Sequence, residues 1–260
     1  MRILLIGDIV GRPGRNVVRE LLPRLIREHR LDLVVANGEN AAGGIGITRQ
    51  VGDELLACGI DVLTMGNHAW GKKDSYAYLD ETPRVVRPAN YPQGAPGRGS
   101  VVVKAANGKS AGILNLGGRV FFPTDLECPF RGGEREALRL RQQTPVVIVD
   151  FHAEATSEKV ALGYHLDGLV SVLAGTHTHV QTADERILPG GTAYITDLGM
   201  TGPVNGVIGI CRELALERFL TQLPVRFEVE TGPGALCGLV AEIDDDSGQA
   251  HEVFRIQEHC

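Results

Sequence analysis

The chain has 260 residues, 43% hydrophobic and 22% charged, a composition that supports one large core or at most two domains. A formal net charge of −6 argues against extended nucleic-acid binding, which calls for a basic surface, but not against a small phosphorylated ligand held through metal. Five scattered cysteines (Cys58, Cys128, Cys211, Cys237 and Cys260), with no C-x-x-C pair, argue against a disulfide framework or a thiolate zinc site and fit a reducing cytosol.

Arg2 to Ile6 reads as a short buried strand stopped by Gly7, too brief for the apolar region of a signal peptide. Pro13 suits a first helical turn, and Val17, Val18, Leu21, Leu22, Leu25 and Ile26 recur at helical spacing to about His29. Pro23 predicts a kink or an earlier end. Leu31 to Ala36 is a second strand. Thr48 caps a helix through Ala57 that Gly59 stops, and Ile60 to Thr64 is a third strand. This βαβαβ opening predicts a parallel sheet covered by helices.

Lys72 to Leu79 predicts another helix. Val101–Ala105 and Ala111–Leu116 flank Asn107-Gly108, a hairpin signal. Arg135 to Gln142 and Ser157 to Leu166 are expected helices, and Val146–Asp150 and Leu169–Ala174 expected strands. Gly190-Gly191 turns a second hairpin into Ala193–Thr196. Cys211 to Leu223 reads as an amphipathic helix with Leu214, Leu216, Phe219 and Leu220 apolar. Phe227–Val229 and a hairpin, Leu239–Ile243 with Val253–Ile256 turned at Asp246-Ser247-Gly248, close the chain. No linker and no stretch of roughly 20 apolar residues is visible, so one domain over 1–260 and no membrane span are expected.

Five strand ends carry polar residues of one chemical kind: Asp8; Glu39 and Asn40; Asn67 and His68; His152; His177 and His179. Loops at strand ends of α/β proteins hold ligands, and hard oxygen with borderline nitrogen donors suits divalent first-row metals. His177 and His179 flank one threonine, so extended backbone would turn both imidazoles to one site. His29, His165, His251 and His259 read as structural. Gly7-x-x-x-Gly11-x-x-Gly14 resembles a dinucleotide-binding turn, but its spacing departs from G-x-G-x-x-G, and that reading leaves four histidines without roles. Nucleophile-elbow and P-loop signatures are missing.

Gly7-Asp8, Gly66-Asn67-His68, the isolated His152 and Gly175-Thr176-His177-Thr178-His179 together resemble the calcineurin-like metallophosphoesterases. Two departures, Asp8-Ile9-Val10 in place of D-x-H and Glu39 in place of a bridging aspartate, are similar to the bacterial YmdB-like 2′,3′-cyclic-nucleotide 2′-phosphodiesterases. The resemblance runs from Met1 to the C-terminus. It implies an α/β fold, a four-layer α/β/β/α sandwich of two mixed sheets flanked by helices, and a dinuclear iron or manganese centre. Zinc also fits the donor chemistry.

Carried over by position, the resemblance implies Asp8, Glu39, Asn40 and His179 on one metal and Glu39, Asn67, His152 and His177 on the other, with Glu39 bridging. His68 is the implied catalytic group, protonating the departing ribose oxygen or stabilising charge at phosphorus. Two cations about 3.5–4 Å apart can bind a bridging hydroxide for in-line attack on a phosphoester. Asp150 and Asp197, also near strand ends, are candidates for orienting a histidine or for a solvated or capping role. The expected activity is hydrolysis of small cyclic nucleotides to 3′-nucleotides in the cytoplasm. A phosphomonoesterase or a non-catalytic metal-stabilised module is the alternative, and homo-oligomerisation is left open.

Overall fold

The N-terminal apolar run forms β1 (Arg2–Ile6), and its two faces serve two different cores. Leu4 and Ile6 join one cluster, while Ile3 and Leu5 join another, as the strand's period of two requires. The computed structural model describes residues 1–122 and 124–260. After β1 come β2 (Asp8–Ile9), α1 (Gly11–His29), β3 (Leu33–Asn37), α2 (Arg49–Ala57), β4 (Val62–Thr64), α3 (Ser75–Glu81) and β5 (Val85–Val86). Then follow β6 (Ser100–Lys104), β7 (Ser110–Gly117), α4 (Pro129–Arg141), β8 (Val147–His152), α5 (Thr156–His165) and β9 (Val172–Thr176). The last described elements are β10 (Arg186–Ile187), β11 (Ala193–Ile195), β12 (Met200–Pro203), α6 (Arg212–Thr221), β13 (Gly234–Ile243) and β14 (Ala250–His259).

These strands make two mixed sheets. One runs β2-β12-β13-β1-β3-β4-β5, with β14 also on β13; the other runs β10-β11-β9-β8-β7-β6. Within the first, β1, β3, β4 and β5 are parallel. Within the second, β7, β8, β9 and β11 are parallel. Three apolar cores separate four layers. Val17, Leu21 and Leu25 of α1 pack with Leu4 and Val34. Ile3, Leu5 and Val35 meet Ile148, Val172 and Ile195 between the sheets. Val149 and Leu173 pack with Ala137, Leu140 and Leu162 from α4 and α5. The expected α/β/β/α sandwich is what forms, because each central strand buries both faces.

Several elements differ from the sequence reading. Helix α1 begins at Gly11 and runs through Pro23 to His29 without ending there. Helix α4 begins well before Arg135, with Pro129 in its first turn, where the missing N–H costs nothing. Helix α3 begins at Ser75, later than Lys72. Strand β9 starts at Val172 because Leu169 and Val170 still donate to the Leu166 carbonyl at the end of α5. Phe227–Val229 is not a strand; Val229 makes only an isolated bridge to Ile210. The hairpins at Asn107-Gly108, Gly190-Gly191 and Asp246-Ser247-Gly248 form as read.

Helix α6 is the clearest packing surprise. Only Ala215 of it is buried, while Leu216, Phe219 and Leu220 are exposed. Among the described residues, no helix is long and apolar enough to cross a membrane.

The packing predicts a sharp contrast in chemical denaturation. Ile148→Ala opens the core between the sheets and should cost roughly 2–5 kcal/mol. Leu220→Ala, on the exposed face of α6, should change stability by less than about 0.5 kcal/mol.

Candidate metal and active site

The parallel strands deliver their polar ends to one rim. Gly7 leads β1 into Asp8. Asn37 ends β3, just before Glu39 and Asn40, while β4 leads to Asn67 and His68. From the second sheet, His152 is the last residue of β8 rather than the loop residue expected, and His177 follows β9 directly. Face-to-face packing then joins the two sets. Asn37 Nδ2 donates to Asp150 Oδ2 at 3.0 Å across the sheets, and Thr64 of β4 also donates to Asp150.

His152 stands at the centre and is fully buried. Its Nε2 lies 3.2 Å from Glu39 Oε1, 3.1 Å from Asn67 Oδ1 and 3.1 Å from His177 Nδ1. Three lone-pair groups thus crowd one nitrogen, and one proton cannot serve all of them. Donors bound at about 2.1 Å to a common ion lie about 3.0–3.4 Å apart, so the crowding has the spacing of a coordination shell. Glu39, His152 and His177 together could hold a metal ion, with ligand atoms all within 4.8 Å of one another.

A second group adjoins it. Asp8 Oδ1 is buried without a hydrogen-bond partner, 3.8 Å from His152 Nδ1 and 3.9 Å from His179 Nε2. Asn40 Nδ2 donates to the Gly44 carbonyl at 2.9 Å, which fixes the amide and leaves Asn40 Oδ1 buried and unpartnered. Two orphaned buried oxygens are costly unless a cation or proton completes them. Gly66 leaves the room: a Cβ there would lie 2.2 Å from His152 Cδ2 and 2.4 Å from Glu39 Oε2.

Burial sets the charge states. Burial alone would favour neutral Glu39, but the His152 charge and hydrogen bond hold its carboxyl well below the usual range. Burial likewise disfavours the His152 cation, yet Glu39 outweighs it, with Asp8 and Asp150 adding, and its pKa rises to about 9. His177 is pushed down to about 4 by burial and by cationic His152, so its imidazole is neutral at pH 7. Burial raises Asp8 to about 6, against the pull of His179 and His152.

His177 and His179 reach this rim by a different route from the extended chain expected. Both have left-handed backbone, φ 103° and 66°, so each side chain is aimed separately. His177 N donates to Asp8 Oδ2 at 3.1 Å, and His179 Nδ1 donates to the Ile208 carbonyl at 2.9 Å, leaving Nε2 toward Asp8. Between them Thr178 is tied through its N–H and hydroxyl to Asp197 Oδ2, which also takes Lys159 Nζ at 2.6 Å in a buried pair. His68 is one-third exposed. Its Nδ1 lies 3.1 Å from Glu39 Oε1 and 3.2 Å from Asn40 Nδ2, and its Nε2 has no partner among the described residues. With Glu39, Asn40, His177 and His179 it lines a cleft of about 500 Å³.

Every site residue singled out in the sequence therefore comes to one place, and the chain as a whole has known relatives. The YmdB-like protein family matches residues 4–256. The chain belongs to this family. It is 51% identical over 256 residues, 98% of this chain and 96% of the other, to the "2′,3′-cyclic-nucleotide 2′-phosphodiesterase" of Bacillus subtilis (strain 168). Its structure superposes with a TM-score of 0.93 on that of a hypothetical protein from Thermus thermophilus, 42% identical, over 100% of this chain and 99% of that one. It superposes equally well, at 0.93 and 35% identity, on a novel phosphatase from Mycoplasma pneumoniae, over 100% and 93% of the two chains.

In this YmdB-like chain the residues that sequence reading missed form the support beneath His152. Thr176 Oγ1 donates to Asp150 Oδ1 at 2.7 Å and so accepts from His152 Nδ1 at 2.9 Å. That chain puts a proton on Nδ1 and orients Nε2 toward Glu39. Asp150 was legible as a candidate; Thr64, Thr176 and Asn37 carried no signal, because they meet only across the sheets. Glu154, two residues after His152, reaches His177 Nε2 at 3.1 Å and was not anticipated. Asp150→Ala would strand the Thr64, Thr176 and Asn37 donors in a buried site. It should cost at least about 2 kcal/mol in urea unfolding, with Asp150→Asn losing less.

Proposed function

We propose that this chain is a metal-dependent phosphodiesterase that opens 2′,3′-cyclic nucleotides at the 2′-oxygen and leaves 3′-nucleotides. The chain is a hydrolase acting on phosphoesters, in keeping with the names of its relatives. The crowding of lone-pair atoms around His152 Nε2 carries the metal part of the reading. The Bacillus subtilis relative's printed activity supports the substrate. Asp8, Glu39, Asn40 and His179 would hold one ion and Glu39, Asn67, His152 and His177 a second, with Glu39 shared. Iron or manganese suits these donors, and zinc is compatible. When bound, such ions neutralise charge on the phosphoryl oxygens and lower the pKa of the attacking water.

The protein's own groups do the rest. Neutral His177 has an imidazole lone pair ready for a ligand, whereas His152 must first lose the proton that Glu39 stabilises. His68 Nδ1 accepts from Asn40 Nδ2, which leaves the proton on Nε2, where it can be donated to the departing ribose oxygen. Because the site draws on both sheets, we read residues 1–260 as one functional domain. Five unpaired cysteines support a cytosolic setting.

The reading is tested by product chromatography on metal-loaded protein: 2′,3′-cyclic AMP should give the 3′-nucleotide, and a dominant 2′-phosphate rejects the reading. Elemental analysis should find two ions per chain, and Glu39→Gln should weaken both sites. Loading at pH 7 should release about one proton, from His152, since pH 7 lies below its metal-free pKa of about 9. Apparent metal affinity should therefore climb as pH rises toward 9.

His68→Ala should retain both ions and lose roughly 10²–10⁴ in kcat/KM on the cyclic nucleotide, whose alkoxide leaving group needs a proton. The loss on bis(p-nitrophenyl) phosphate should be much smaller, since nitrophenolate leaves as a stable anion. Equal losses on the two substrates would instead assign His68 to charge stabilisation at phosphorus.

A further inference from the structure

Part of the cleft is apolar. Ile45, Ile208, Ile210, Phe227 and Val229 line it beside the histidines and Glu39. Ile45, Ile208 and Phe227 are left 49%, 50% and 49% exposed, in the same cleft as Glu39, Asn40, His68, His177 and His179. A grouping of half-exposed large apolar side chains beside a polar site marks a binding surface.

The backbone at Ile208 points the same way. Val207 N donates to the Ile210 carbonyl at 2.8 Å and Ile210 N to the Val207 carbonyl at 3.0 Å, closing a two-residue hairpin turn. Both inner residues have positive φ, 47° at Ile208 and 93° at Gly209. Such turns favour Asn-Gly, and a β-branched side chain is strained there. The Ile208 carbonyl accepts from His179 Nδ1, which accounts for the turn. It does not account for the isoleucine, because asparagine would present the same carbonyl with less strain. A strained side chain at a cleft mouth is what a ligand contact would retain. Phe227 belongs to the same unit: Cys211 N donates to the Glu228 carbonyl and Glu230 N to the Gly209 carbonyl, both at 2.9 Å.

We propose that Ile208 and Phe227 form an apolar clamp for the base of a nucleotide whose phosphate lies at the candidate metal site; this rests on the phosphodiesterase reading above. The base stacks on the Phe227 ring, with Ile208 as its aliphatic neighbour. None of the five apolar side chains carries a group that reads a base edge. Recognition by Phe227 and Ile208 is therefore by the face of the base, which favours purines over pyrimidines.

The test compares wild type, Phe227→Ala and Ile208→Asn, metal-loaded, on 2′,3′-cyclic AMP and on glycerol 1,2-cyclic phosphate, the same ring without a base. Phe227→Ala should lower the ratio of kcat/KM for the nucleotide to that for the base-free diester about 10-fold, through KM. Ile208→Asn should lower that ratio while its melting temperature holds or rises, a pairing that damage to the fold would not give. An unchanged ratio in both variants overturns the clamp. Should wild type cleave neither diester, the phosphodiesterase reading fails, and calorimetry with adenosine 3′-monophosphate and ribose 5-phosphate decides the clamp alone. Tighter binding of the adenosine compound, abolished by Phe227→Ala, upholds it; equal binding of the two compounds by wild type overturns it.

Discussion

The Glu39–His152 contact governs the rest of the site. Both side chains are almost wholly removed from water, and neither charge survives there alone. At 3.2 Å they hold each other ionised, which draws the Glu39 pKa down and the His152 pKa up. Any cation that displaces the His152 proton inherits a cavity already paired with an anion. The same contact explains the neutral His177, whose Nδ1 lies 3.1 Å from His152 Nε2 and cannot share that charge.

A contact of that kind needs a rigid surround, and the two sheets supply it. Glu39 leaves the end of β3, His152 ends β8, and the apolar core between the sheets sets their separation. Asp150 fastens the layers from beneath by accepting from Asn37 and Thr64 on one side and Thr176 on the other. Asp197 holds the His177–His179 loop in a comparable way, with Lys159 balancing its charge out of contact with water. Each strained histidine backbone is thus overdetermined by hydrogen bonds, which is how strain persists in a folded site.

Outside this rigid floor the molecule is differently built. The cleft mouth is made from connecting segments, the turn at Ile208 and the stretch through Phe227, and the neighbouring helix α6 buries little of itself. The floor gathers the carboxylate, amide and imidazole groups proposed to hold metal, and the mouth is where the proposed contact with the base lies.

Local pattern was enough for much of this. Apolar runs ending in Gly-Asp, Gly-Asn-His and Gly-Thr-His-Thr-His located the strand ends, because buried parallel strands are short apolar blocks and their loops must be polar. The gathering of Asp8, Glu39, Asn40, Asn67, His68, His152, His177 and His179 was legible on that basis, while the four layers were implied by the family resemblance. Element edges were less so: α4 starts at Pro129, which suits a first helical turn, and β9 starts at Val172 because Leu169 and Val170 still bond to the Leu166 carbonyl. The exposed face of α6 could not be read from its periodicity, since an apolar stripe states what can be buried and not whether a surface is there to bury it. The hydrogen bonds beneath His152 were also silent. Asn37, Thr64, Asp150 and Thr176 lie far apart in the chain, and their contacts exist only once the two sheets close. Composition and spacing set which groups could bind and react, whereas the packing of one sheet on the other decided their charge, their tautomer and their aim.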